Sequence, residues 1–541
     1  MGNRHLALDN VTVDAAFFDE VVEIASRNRK GIRDLSGCSF EGATFLAGCR
    51  FGGCSFPRGA NFIHASFDSP DFRNASFGDE VDFTGAEFVG TTRFENCTFG
   101  NHVKFGNCKF TGPINFGGAT IGDGAIFWQS DFSDTAAFGD ARFGSLVNWT
   151  FANFRSEASF SSARFGDGAD FSRTQFHDFA NFSAGYFGVA AQFSNVKFNG
   201  VTKFRRRIFA RGALFSSTAF RGDTSFEQAS FEGGDVTFVG ADVVCRNFSL
   251  EGITFTRAVH ITVDARSVSF KSTRFLNGGH VRMNGPSELD IEDASFPQPF
   301  MISSEVALGT TVRSVARADL SGLALSEVDL NGCRFVGSHN LDKLQIQATE
   351  RPFSFMSTTR FGVKRMVIAE ELELRKALHP QGLAEGQSGV TDEQVASIYR
   401  QLRKGREDRK DEPGAADFYY GEMLMRMRAA HTSRAERVII GAYWLISGFG
   451  LRASRAFVAF LIAVTAGTAI IALCGLSPDS RGAPRYSLLD ATLIALKSCL
   501  GWQSPSAVNV MGEYISLALR FVGPVLLGLC ALAIRGRIKR G

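Results

Sequence analysis

Phenylalanine recurs through this chain with a cadence that no helix or ordinary strand produces. Phe83, Phe94, Phe105, Phe116, Phe127, Phe138, Trp149, Phe160, Phe171, Phe182, Phe193, Phe204, Phe215 and Phe226 form one series with a step of eleven residues. A second series, Phe88, Phe99, Phe110, Ile121, Phe132, Phe143, Phe154, Phe165, Phe176, Phe187, Phe198, Phe209, Phe220 and Phe231, runs between them, so the gaps alternate between five and six residues. A helix repeats its buried face every ~3.6 residues and a strand every ~2. This rhythm instead describes a chain that turns a corner at every gap and stacks coil on coil, which is the signature of a solenoid. Two residues before each Phe stands a small or β-branched residue, as at Ala86, Ala125, Ala136, Val147, Ala158, Ala163 and Ala169. Each face therefore points one large and one small side chain inward, and the rings of successive coils stack.

Composition follows from the ladder. The chain holds 54 Phe against 7 Tyr and 4 Trp, and 57 Gly supply its turns. Of ten Cys, six (Cys38, Cys49, Cys54, Cys97, Cys108 and Cys333) lie two residues before a ladder Phe, where neighbouring repeats carry Ala. They read as small core fillers. No CxxC occurs, so the pattern gives neither a zinc site nor a disulfide framework. At 541 residues the chain has room for several domains.

Residues 1–34 read as an N-terminal helical cap. Asp14 is placed to cap a helix running through Arg29, with Phe18, Val21, Val22 and Ala25 along one side. Terminal units of solenoids are atypical because they must close an open end. The first residues lack the apolar run of a secretory signal, and Leu6 stands where myristoylation favours Ser or Thr. The bulk of the chain is expected in the cytosol.

The repeat is plainest at Ala318-Asp319-Leu320-Ser321-Gly322, Val328-Asp329-Leu330 and Cys333-Arg334-Phe335. Here the sequence resembles the pentapeptide-repeat family, whose unit is Ala-(Asp/Asn)-Leu/Phe-x-x. The resemblance covers roughly residues 35–340 and implies a mainly β fold, a right-handed quadrilateral β-helix with four units to a coil. This chain departs from the plain unit by one extra residue in every second repeat. That predicts a bulged corner and coils of about 22 residues, hence about ten coils between Leu35 and Phe255 and a length near 48 Å at the ~4.8 Å strand spacing. The ladder blurs from Ala258 to Ser304 and returns near Ala318–Gly337.

Residues 341–391 read as a linker, followed by a helical hairpin over 392–433 with a break at Pro413-Gly414. Residues 434–541 read as a membrane domain: an interfacial helix at 438–451, a first span at 456–476, an amphipathic segment at 487–501 and a second span at 514–534. Arginines flank the outer ends of both spans while the connecting loop carries few cations. The positive-inside rule then places both termini and the β-helix on the cytoplasmic side of a multi-pass cell-membrane protein. The segment Tyr399–Met425 and the tail after Leu532 resemble membrane-linked pentapeptide-repeat proteins of high-GC bacteria, whose architecture is better defined than their activity.

Nothing in the sequence points to an enzyme. The nine His are scattered, and no Walker, dinucleotide-binding or nucleophile-elbow motif stands in a fitting context. No cofactor, metal or catalytic residue is expected. The reading is a membrane-anchored scaffold whose partners are the lipid bilayer, an unidentified protein and, in an oligomer, further copies of itself. One alternative is an oligomeric channel or transport component using residues 487–501 as a re-entrant segment. A second, DNA mimicry toward a topoisomerase, fits poorly with 18 Lys and Arg against 22 Asp and Glu over residues 35–251. No nucleic acid is expected. Lys203, Arg205, Arg206 and Arg211 form the one dense basic run, a candidate patch for an anionic partner. Arg207 falls where neighbours are small, so either the coil bulges or a long side chain replaces the filler. Arg520, about six residues into the second span, is expected to reach the headgroups, and Arg535, Arg537, Lys539 and Arg540 to anchor its end.

Overall fold

The computed structural model describes residues 7–26, 33–35, 39–232, 236–349, 352–357, 364–377, 389–475, 488–502 and 508–538. Cys38, Lys539 and Arg540 lie outside them, as do residues 476–487 and 503–507 between the two apolar helices. The chain divides into two compact units, Met1–Phe353 and Ser354–Gly541.

The first unit is a β-solenoid of about 14 turns. Its strands pair in parallel with a constant offset: Phe88 sits beside Phe110, Phe110 beside Phe132, and Phe132 beside Phe154. That offset is the 22-residue coil the sequence implies. Each sequence series resolves into two faces, because consecutive members of one series lie on opposite sides of the coil. Rings on one face stack, as for Phe143 and Phe165 at 4.7 Å between centroids and 2° between planes. Rings on adjacent faces meet edge to face, as for Phe165 and Phe171 at 5.5 Å and 78°, and so do rings across the core, as for Phe171 and Phe182 at 5.6 Å and 89°. The core is thus four aromatic columns in mutual T-shaped contact, the geometry that aromatic quadrupoles favour.

The five-residue units turn tightly. In Phe83–Phe88, Ala86 N donates to Phe83 O at 3.0 Å or less (2.9 Å), and Gly85 carries a φ of +70°. This is the hydrogen bond and the positive φ of a type II turn. The extra residue of the six-residue units lies at the next corner. Around Phe255 the coil shortens to 20 residues, with Thr254 beside Arg274 and Ile261 beside Val281, then lengthens again as Val281 sits beside Ile302 and Ile302 beside Leu325, and long strands such as Val259–Ser269 replace corner turns.

Two boundaries move outward. Thr12–Val13 already pairs with Thr44–Phe45, and Gln345–Gln347 still pairs with Ala324–Ser326. The solenoid therefore begins within residues read as cap and continues past 340. The cap helix itself, α1 (Ala15–Ser26), buries Phe18, Val21 and Val22 over the first coils.

In the second unit, the stretch read as a linker carries a β-hairpin, Ser354–Ser357 with Lys364–Val367, and helix α2 (Ala369–Ala377). Met366, Val367 and Ile368 are buried, which is why this segment packs. Next come α3 (Asp392–Asp408), opened by a Thr391–Gln394 capping box, and α4 (Glu412–Arg428). Pro413 starts α4 and does not separate the helices; it stands in the first turn, where its missing N–H costs nothing. Then follow α5 (Arg434–Ser447), α6 (Ala453–Ile470) with a π-turn at Ile471–Gly475, α7 (Leu488–Cys499) and α8 (Val510–Ile538). The interfacial helix thus starts earlier than 438, because Ser433 caps it, and stops at left-handed Gly448. The second span starts at 510 and not 514, since Asn509 Oδ1 accepts from Gly512 N at 2.9 Å and caps it.

Candidate functional sites on the solenoid and in the helical unit

The basic run of the solenoid is spread over neighbouring strands and corners of the coil. Arg205 pairs with Glu227 at 2.8 Å, Arg206 Nε donates to Gln228 Oε1 at 3.0 Å, and Lys203 lies over the Phe179 ring at 5.0 Å. Lys203 sits in strand Thr202–Lys203 and Arg211 in Ile208–Leu214, on successive strands of the coil. Of the four, Arg205 alone meets a carboxylate among the described residues, on the next coil; Arg206 and Lys203 keep their charge beside neutral partners.

Arg207 is a different case, and it answers the alternative posed by the sequence: the long side chain replaces the filler. It is completely buried. The filler position proves to be a hydrogen-bonding slot as well as a space. Cys97 Sγ donates to Phe72 O at 2.8 Å, Cys108 Sγ to Phe83 O at 3.0 Å, Thr174 Oγ1 to Trp149 O at 2.8 Å and Thr218 Oγ1 to Phe193 O at 2.6 Å. Each acceptor is the aromatic residue 25 positions earlier. Arg207 Nη1 takes the same acceptor, Phe182 O at 3.2 Å, and reaches one coil further to Phe160 O at 3.4 Å; Nη2 donates to Tyr186 O at 3.3 Å. The guanidinium carbon lies 4.1 Å from the Phe187 centroid. Room for it comes from Gly185, the filler of the preceding coil, where a Cβ would stand 1.7 Å from Arg207 Nη1. Burial without an acidic partner drives the Arg207 pKa well below its usual value. The side chain is a structural insert. The thiols gain a second role by the same geometry: burial pushes Cys97 up to about 12 and Cys49 up to about 11, so both stay protonated donors.

The helical unit holds a buried charge–aromatic network. Arg365 and Arg375 both contact Glu371, Arg375 at 2.6 Å, and the Tyr399 hydroxyl donates to the same carboxylate. Ile368 N donates to Tyr399 Oη at 3.2 Å. Arg365 also lies 5.5 Å from the Tyr420 ring centroid, as does Arg452 just before α6. Trp444 Nε1 donates to Tyr420 Oη at 2.8 Å, and Arg455 lies 5.3 Å from the Trp444 centroid. Burial alone would raise the Glu371 carboxyl, but Arg365 and Tyr399 more than offset it and hold it below the usual carboxylate range. The Tyr399 phenol is pushed up, first by burial and then by Glu371. Gly421 admits the Tyr399 ring, since a Cβ there would stand 2.7 Å from it. Sequence reading missed this network because its members are spread over 90 residues, from Arg365 to Arg455, without a motif.

Helices α6 and α8 offer 21 and 25 residues, Ala453–Leu473 and Val510–Ile534, long and apolar enough to cross a membrane. Helix α7 packs one side on the bundle and exposes the other. Ala491, Ile494, Ala495 and Cys499 pack against Phe460, Val464, Ile471, Leu519 and Leu526. Its leucines, Leu488, Leu489, Leu493 and Leu496, face outward. Small residues inside and leucines outside invert the pattern of a helix facing water. Arg520 is eleven residues into α8, deeper than the sequence suggested because the helix starts sooner. Arg535 and Arg537 lie on its last turns. Among the described residues, no group of three His, Cys, Asp or Glu is placed to hold a metal ion.

Comparison with known proteins bears on the solenoid. The family profile "Pentapeptide repeats (9 copies)" matches residues 51–98 and 94–142. A solved structure also matches: HetL, a pentapeptide repeat protein involved in heterocyst differentiation regulation from the cyanobacterium Nostoc sp.. It is 12% identical, covers 53% of this chain and 88% of that one, and superposes with a TM-score of 0.13. No curated protein matches the chain.

Proposed function

We propose that this pentapeptide-repeat protein, with two helices long and apolar enough to cross a membrane, is a non-enzymatic scaffold that holds its β-solenoid at a membrane for protein interaction. One observation carries the reading. Helices that pass a length-and-hydropathy test inside soluble proteins are mostly buried, whereas these two are 28% and 22% buried. Leu473 is 82% exposed and Phe521 71%. Monomeric soluble proteins rarely expose apolar patches of that extent. A bilayer supplies the missing contact.

Helix α5 extends the same surface. Val438, Ile439 and Leu445 are exposed along one side, while Ile440 and Ser447 are buried on the other. It runs from Ser433 to within six residues of α6, which suits a helix lying in the headgroup layer and turning into the first span. The arginines outside both spans favour a cytoplasmic solenoid. The Glu371–Arg365–Tyr420–Trp444 network then ties the helices before α6 to its first turn, so that an event at these helices reaches the membrane through packed groups. A channel gains no support from a single copy, whose α6–α7–α8 interior is filled by apolar side chains.

Protease protection tests the reading. With a tag at the N-terminus, the solenoid should be digested in inside-out vesicles and protected in sealed spheroplasts. Protection in the vesicles and digestion in spheroplasts would reverse the orientation, and digestion in both preparations would remove the membrane.

A further inference from the structure

Two histidines far apart in sequence become neighbours on the solenoid wall. His260, on strand Val259–Ser269, pairs in register with His280 on strand Gly279–Met283. The pairing runs unbroken from Val259 beside Gly279 to Val263 beside Met283. Val259, Ile261, Val281 and Met283 are buried, so alternation along the strands turns both imidazoles outward on one face. His260 is exposed and His280 half-buried. Residues in register on parallel strands stand one strand spacing apart, about 4.8 Å. The sequence shows no metal-binding motif here because the spacing of the pair is that of a whole coil.

A third strand sets the orientation of the His280 ring. Its Nε2 lies 2.7 Å from Ser303 Oγ on strand Phe300–Ser304. That strand flanks Gly279–Met283 on the side away from His260. The two nitrogens of an imidazole point to nearly opposite sides of the ring, so His280 Nδ1 is turned toward the strand that carries His260. Burial, and then the charges of Arg282 and His260, hold the His280 pKa below its usual value and keep the ring neutral. The His260 side chain makes no hydrogen bond among the described residues and is free to rotate toward its neighbour. Arg282, two residues on from His280, is paired with Glu305 at 3.5 Å.

We propose that His260 and His280 chelate one divalent transition-metal ion, zinc or copper. Imidazole nitrogens suit these ions, whereas magnesium and calcium take oxygen ligands. Nitrogens at ~2.0–2.1 Å from such an ion stand about 3 Å apart, a separation that rotation of His260 reaches from one strand spacing. His280 binds through Nδ1 while its Nε2–H donates to Ser303 Oγ, the outer contact that fixes the tautomer and ring orientation of a metal-bound histidine. Two protein ligands leave the remaining positions of the ion to water. The site lies wholly on the solenoid and rests on neither the membrane reading nor the orientation of the chain.

The test uses the full chain in detergent micelles, freed of any affinity tag and stripped of metal with a chelator. Zn²⁺ is the probe, titrated by calorimetry. Wild type should bind one equivalent, and His260→Ala and His280→Ala should each weaken that binding about tenfold or more. Ser303→Ala, which keeps both ligands, should weaken it about tenfold. His102→Ala, at an exposed histidine on another part of the wall, should leave it unchanged. Zn²⁺ should also protect His260 from carbethoxylation by diethyl pyrocarbonate, mapped by mass spectrometry, and leave His102 reactive; this readout needs no variant to fold. Absence of Zn²⁺ binding overturns the site. So does a loss in one histidine variant that the other does not share, or equal protection of His102 and His260.

Discussion

The pairing of Gly185 with Arg207 gives the sharpest test of how this solenoid is packed. In the ordinary slot a Ser, Thr or Cys donates to the aromatic carbonyl 25 residues earlier; at Arg207 the slot holds a guanidinium that extends through the position left open at Gly185. Gly185→Ala puts a Cβ 1.7 Å from Arg207 Nη1 and 2.2 Å from Ala163 O. Overpacking of this kind costs about 1–3 kcal/mol, with the upper end expected where backbone is among the obstacles. Arg207→Thr keeps the bond to Phe182 O and removes an unpaired buried charge, but it takes the guanidinium donor from Tyr186 O and from Phe160 O, the latter keeping Ala163 N at 3.1 Å, and opens a void beside Gly185. Lost contacts and lost hydrogen bonds outweigh the relief, for a net loss of about 1–3 kcal/mol. In the double variant the new methyl enters the void that the arginine vacated. The two losses should therefore fall short of adding by about 1–2 kcal/mol, well above the ~0.5 kcal/mol scatter of independent sites. The assay is hydrogen exchange over Tyr186–Gln192 and Ile208–Leu214, the paired strands flanking the insert, which reads local opening in the intact chain. Losses that add within ~0.5 kcal/mol would refute the steric pairing.

Three further outcomes follow from the same geometry. Cys97 and Cys108 should resist alkylation in the folded chain and react on unfolding, and Cys97→Ser should retain stability that Cys97→Ala lowers by about 1 kcal/mol, measured by urea titration. Arg365 and Tyr399 outweigh burial and hold the Glu371 carboxyl below the usual carboxylate range, so its contribution is fully present above that range and is lost as pH falls through the lowered folded value. Glu371→Gln should flatten that acid limb and lower the stability of the helical unit by about 3–5 kcal/mol, since it leaves Arg365 buried and unpaired. Gly421→Ala should cost about 1–3 kcal/mol by driving α3 from α4 at the Tyr399 ring, visible as a loss of helical signal on heating.

The solenoid was legible because its signal repeats: an eleven-residue series of one residue type survives a substitution such as Trp149 or Ile121 without losing phase. The 22-residue coil followed from arithmetic on that spacing. What the spacing hid was chemistry at the filler position. Ala163, Cys97, Thr174 and Arg207 all satisfy "two before Phe", yet only a three-dimensional register shows the carbonyl that the last three share. Gly185, 22 residues before Arg207, was the readable signal for the insert. The partners of the basic run were hidden for the same reason, because Glu227 beside Arg205 and Gln228 beside Arg206 lie one coil away and 22 residues on in sequence. In the helical unit, boundaries moved with caps, Asn509 and Ser433, that precede the apolar runs. The Glu371 network had no sequence periodicity, and which side of α7 faces the bundle was not legible, because its alanines pack inside while its leucines face outward.

Alkaline carbonate extraction tests directly whether α6 and α8 hold the solenoid at a membrane. Membranes from cells expressing the full chain, or a chain ending at Arg452, are washed at high pH and pelleted. The full chain should remain in the pellet and the truncated chain should appear in the supernatant. Release of the full chain into the supernatant would contradict the account.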